Sequence, residues 1–177
     1  MGKRLKKLIQ TFPGPKEKDE VASEVSKGHP RGAALVAAAF LDIYLEFLIK
    51  LSLVPLRDEE TMGLFGPDRP LGTFSSRIKI AQALGIFGRK TAHDLNIMRE
   101  IRNAFAHGIR KMNFNTPEVK ELLMSLHCLA DIENYRSLSS RKLFLEVTAM
   151  LLTHIAVKRE KATRPRPLTE PFCPHLD

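Results

Sequence analysis

Residues 32–53 are the most apolar run in the chain, and Asp42, Glu46 and Lys50 interrupt it at helical spacing. Each of those charges is costly in hydrocarbon, so the run reads as a helix buried inside a bundle and not as a membrane span. A helix that is apolar nearly all round needs other helices on several of its sides. Ala33, Ala34, Ala37, Ala38 and Ala39 let those neighbours come close. Asp42 and Glu46 stand at i, i+4 and therefore share a face. Such a like-charge pair needs a cation, and Arg99 and Arg102 are the expected sources.

The same spacing argument yields the other elements. Residues 53–73 form a connector punctuated by Pro55, Gly63, Gly66, Pro67, Pro70 and Gly72, with a helical turn expected over 58–64. It is long for an idle connection. Thr73 or Ser75 caps a helix that Gly85 ends, with Ile78, Ala81 and Leu84 inward and Arg77 and Lys79 outward. A helix over 88–107 follows. Thr116, with Pro117 at the first helical position, opens a helix expected to reach 132 through Val119, Leu122, Leu123, Leu126 and Leu129. Ser139 or Ser140 opens the last helix, to 161, with Leu143, Val147, Met150, Leu151, His154 and Ile155 in register. There is no β-alternation and no internal repeat. The expected fold is all-α: a single-domain bundle of five main helices over 31–162, between a flexible basic arm (1–30) and a Pro-rich tail (163–177). A short helix over 16–26 is expected within the arm.

A chain of 177 residues with 44% hydrophobic content supports one substantial core. Its 28 basic and 20 acidic residues leave a charge of +8, which permits contact with a polyanion without requiring it. Cys128 and Cys173 show no pairing logic, and Cys173 with His175 offers two ligands on a tail, too few for a metal site. No metal and no cofactor are expected. Lys3, Arg4, Lys6 and Lys7 open the chain, but Pro13-Gly14-Pro15 follows with no apolar region between, so this is not read as a signal peptide. The expected location is the cytoplasm, with no membrane contact.

The stretch richest in chemistry is Arg99-Glu100-Ile101-Arg102-Asn103-Ala104-Phe105-Ala106-His107. At 3.6 residues per turn, Ile97, Met98, Ile101, Ala104 and Phe105 form a core face, while Arg99, Arg102, Asn103 and His107 gather opposite. Gly108 reads as a left-handed stop that leaves His107 in the last turn, where the helix dipole favours a cation. An ordinary solvated face mixes Lys with Glu. This one offers arginines, an amide and an imidazole, a set suited to planar oxyanions. Arg77 and Arg99 are read as anion-binding residues, and Asp42 and Glu46 as supporting acids.

Several function classes fall away. Gly63, Gly66 and Gly72 lack the spacing of a phosphate loop, and neither GxSxG nor HExxH occurs. A helix-turn-helix around Ala81 to Gly85 is a weak match, since its reading helix would open on Thr91-Ala92-His93-Asp94 and present an acid to phosphate. Metal-free phosphodiester cleavage fits the residue types better. His107 would be the acid/base group, Arg102 would stabilise charge on phosphate, and Asn103 would orient the imidazole or substrate. Arg102 and His107 lie about 140° apart around the helix, so a second copy across a dimer would complete such a site.

Three blocks carry a family resemblance: Phe40-Leu-Asp-Ile-Tyr-Leu-Glu46; Leu64-Phe-Gly-Pro-Asp68 with Leu71-Gly-Thr-Phe-Ser-Ser-Arg-Ile-Lys79; and His93-Asp-Leu-Asn-Ile-Met-Arg-Glu-Ile-Arg-Asn-Ala-Phe-Ala-His107. Together they resemble the mannitol operon repressor family, over most of the chain between Gly32 and Ile155. The resemblance implies an all-helical bacterial transcriptional regulator, a repressor or co-repressor. With no DNA-reading motif visible, it would act through a DNA-binding protein partner, as a homo-oligomer. Arg102-Asn103-Ala-Phe-Ala-His107 is also similar to the R-x4-6-H motif of HEPN domains. That likeness implies a metal-independent endoribonuclease or RNA-binding protein, with Arg102 and His107 catalytic and Asn103 supportive.

Overall fold

The computed structural model describes residues 19, 20, 23, 26–109 and 111–162, with side chains through Ile155. The arm and tail expectations, including most of the 16–26 helix, lie outside the described residues. Among these residues the chain folds into α1 (Pro30–Ser52), α2 (Asp58–Phe65), α3 (Phe74–Ala83), α4 (Arg89–His107), α5 (Pro117–Met124) and α6 (Ser140–Ala162). Two 3-10 turns, His127–Asp131 and Tyr135–Ser137, join α5 to α6. The class is all-α, as the helical periodicity predicts.

Helix α1 is the axis of the bundle and packs against α3, α4 and α6. By length and composition it could cross a membrane. In the fold it is a core helix: Ala33, Ala34, Ala37, Phe40, Leu41, Tyr44, Leu45, Leu48 and Ile49 are all buried. Ala38 is buried too, whereas Ala39 faces out. Pro30 starts the helix at a position that needs no N–H, and His29 Nδ1 accepts the Arg31 N–H at 3.3 Å. The Phe114 ring centroid lies 5.2 Å from that of Phe105 on α4 and 4.7 Å from that of Phe144 on α6, so the loop after α4 is pinned between two helices by tilted ring contacts. On α6, Leu143, Val147, Leu151 and Ile155 are buried, Met150 partly so, and His154 is exposed.

The connector between α2 and α3 is tightly built. Leu71 N–H bonds Leu64 O at 2.8 Å, Gly72 N–H bonds Arg69 O at 2.9 Å, and Asp68 takes φ 58°. A Cβ at Gly72 would lie 2.5 Å from Gly66 O, and one at Gly66 would lie 2.6 Å from Met62 O, so both positions exclude a side chain. Thr73 then caps α3 in a reciprocal bond pair with Ser76. Gly85, at φ 71°, ends the turn after α3.

Three expectations about helix ends are corrected. The helix opened by Pro117 stops at Met124 instead of reaching 132, because the Asp94 carboxylate of α4 accepts the N–H groups of His127 (2.8 Å) and Cys128 (2.9 Å) and starts a separate 3-10 turn. Thr116 is the N-cap by backbone position, but its hydroxyl accepts the Asn113 N–H and caps no helical amide. Gly108 is not left-handed: φ is −65°. It is glycine because a Cβ would meet Met112 Cε at 2.5 Å and Ala104 O at 2.6 Å.

Candidate functional site on helix α4

Helix α4 divides as its periodicity predicts, with Leu95, Ile97, Met98, Ile101 and Phe105 buried. Arg99, Arg102 and Asn103 are partly exposed on its other side, and His107 is exposed in the last turn. Arg31, at the start of α1, donates to Gly108 O at 2.6 Å and so anchors the carbonyl end of α4 beside His107. Sequence reasoning missed Arg31, since nothing in local spacing links it to a carbonyl 77 residues away.

The acids on α1 take a different partner from the expected one. Arg77 of α3 reaches Asp42 Oδ1 at 2.8 Å and Glu46 Oε2 at 2.7 Å, and its Nε donates to Leu71 O at 2.8 Å. Arg77 was expected to face outward and bind an anion. Its side chain is instead 8% exposed and filled by two carboxylates that are 26% and 27% exposed. The i, i+4 rule located the acids, but a helix wheel cannot show that α3 crosses α1 with its first-turn cation, Arg77, against them. Lys50 completes the group, 2.5 Å from Glu46 Oε1 and 5.0 Å above the Phe65 ring.

Burial pushes the Asp42 carboxyl above its usual value, and the Glu46 charge adds to the rise, while Arg77 and, at longer range, Arg102 oppose it. Arg102 thus stands within electrostatic reach of the acids, yet it makes no direct ion pair among the described residues. Asp42 and Glu46 are balanced by Arg77 and Lys50. The Arg99, Arg102, Asn103 and His107 side of α4 is left with its cationic capacity uncommitted; Arg99 Nε makes one long bond to Asn96 Oδ1, at 3.4 Å.

The N-terminal half of α4 serves the core. Asp94 is 1% exposed and, besides its two backbone amides, bonds His93 Nδ1 at 3.1 Å. The His93 and His127 rings meet at a tilt, with centroids 4.7 Å apart. Cys128 beside them is buried, and burial together with the Asp94 charge pushes its thiol up to about 12, so it is no nucleophile. A helix that follows a turn and reads DNA must free its N-terminal residues. Here Ala92, Asp94 and Leu95 are buried, which weighs against groove insertion. Among the described residues there is no cluster of three metal-ligating side chains.

The crystal structure of the MtlR–HPr complex from Escherichia coli has a chain that superposes with a TM-score of 0.65 at 19% identity, covering 78% of this chain and 98% of that one. Curated protein sequences give no match. The sequence model of the family MtlR, described as mannitol repressor, matches residues 61–162, from α2 through the end of α6. The chain therefore belongs to the mannitol repressor family, MtlR.

Proposed function

We propose that this protein is a regulator of mannitol-operon transcription, a repressor or co-repressor that acts in the cytoplasm as a homo-oligomer by holding a protein partner on its helical surface. The observation that carries this reading is the family match over residues 61–162. The burial of Ala92, Asp94 and Leu95 supports action through a partner over direct reading of a DNA groove. HPr, with which the Escherichia coli protein was crystallised, is the first partner to test. In a bacterial strain lacking its own repressor, expression of this chain should lower output from a mannitol-operon promoter fused to a reporter, and the purified chain should co-elute with HPr. A folded, well-expressed chain that changes neither would refute the proposal.

A second reading, a metal-independent ribonuclease using Arg102, Asn103 and His107, is favoured by one observation: Arg77, not Arg102, takes the two acids. Had Asp42 or Glu46 paired with Arg102, that guanidinium would be spent on the fold. This reading requires RNA cleavage in the presence of a chelator that disappears with His107.

A further inference from the structure

Where the first turn of α1 meets the carbonyl end of α4, the surface carries an unusual mixture of side chains. Arg31, Leu35 and Asp42 share one face of α1, at spacings of four and seven residues. Arg31 touches the carbonyl end of α4 through Gly108, and Asp42 lies within electrostatic reach of Arg102, so this face of α1 borders the Arg/His side of α4. Asp42 and Glu46 are neutralised within the fold by Arg77 and Lys50. Arg99 and Arg102 on α4, with Arg31 bound to its carbonyl end, thus have Glu100 as the one exposed acid on that helix, because Asp94 is buried. Two aliphatic side chains flank these cations, Leu35 at 36% exposure and Ile109 at 102%.

We infer that this surface docks an acidic protein segment that also carries apolar side chains. The inference rests on the partner-holding reading above and names the chemistry of what is held. Charge complementarity selects an acidic occupant, since Asp42 and Glu46 are already held by Arg77 and Lys50 and Glu100 is the one exposed acid left on α4 beside the arginines. The aliphatic pair selects protein over nucleic acid. Binding of single-stranded RNA leans on aromatic platforms for its bases, and no large exposed hydrophobic residue among those described is aromatic. Arginine is among the residues enriched at the centres of protein interfaces. Ile109, wholly exposed directly after the last turn of α4, gains most from being covered.

The test uses the full chain and two fluorescent probes of similar length, a Glu/Leu peptide of about 20 residues and a single-stranded RNA, at low and physiological salt. The peptide should bind the more tightly. Arg102→Gln and Arg99→Gln should each weaken it by about fivefold and flatten its salt dependence, whereas Ile109→Ser should weaken it with the salt dependence kept. Arg102→Lys, which keeps the charge, should retain most of the binding. A variant with Lys3, Arg4, Lys6 and Lys7 all changed to Gln separates the N-terminal charges and should bind within about twofold of wild type. Peptide binding indifferent to Arg99, Arg102 and Ile109 would overturn the inference. So would RNA binding more tightly than the peptide and lost in the same variants. A promoter reporter that fails while the peptide behaves as expected would remove the regulator reading and leave this surface standing.

Discussion

Arg77 answers two carboxylates on another helix and a carbonyl of the preceding connector, so its removal strands charge in a largely buried place. Arg77→Met should cost about 3 kcal/mol in urea denaturation at neutral pH, the low end for a broken buried network because the acids stay about a quarter exposed. Asp42→Asn should cost about 1 kcal/mol or less, since burial already works against the Asp42 charge. The pH dependence follows from the direction of the shift. A carboxyl raised above 3.8 in the fold contributes stability below that value and loses it as pH rises through the folded pKa. Without Arg77 the rise grows, so the Arg77→Met deficit should be largest at neutral pH and shrink towards pH 4; a deficit constant with pH would contradict this account. At this scale the sequence disclosed which residues carry chemistry better than which residues they meet. Asp42 and Glu46 were legible as a pair needing a cation, and α4 as the carrier of two faces. Arg77 was misread as an outward residue because its partner lies 35 positions away, on a helix whose crossing no local pattern encodes.

Helices were the most legible level, because apolar spacing over many turns leaves one solution, as in α1, α4 and α6. Their ends were less so wherever a distant group decided them. Asp94 stops the run through Leu126 and Leu129 by binding the amides of His127 and Cys128, and Gly108 is explained by Met112 and Ala104 instead of by handedness. Gly63, Gly66 and Gly72 read alike as punctuation in the sequence; in the fold Gly66 and Gly72 have steric reasons and Gly63 has none. Gly72→Ala should destabilise by about 2 kcal/mol or more, because a Cβ there meets backbone at 2.5 Å. Gly63→Ala should stabilise by about 0.5–1 kcal/mol, because that glycine is helical and open to solvent. Thermal melts of the two variants that shift in the same direction would contradict the assignment of the connector as a built turn.

Across the whole molecule, one helix organises both stability and site. The bundle surrounds α1, and α1 brings its acids to α3 and its first turn to the end of α4. That division assigns Arg77 to the fold and leaves Arg99, Arg102, Asn103 and His107 outside its ion pairs among the described residues. The residue types at this face were readable from the sequence, whereas their freedom depended on Arg77 taking the acids. We propose that this face binds a protein partner and does not cleave RNA. Its most direct test is incubation of the purified full chain with a mixed fluorescent RNA set in EDTA, beside Arg102→Ala and His107→Ala. The account predicts no cleavage by wild type beyond the level of the two variants. Cleavage by wild type that disappears in both would contradict it and make the face a metal-independent ribonuclease site.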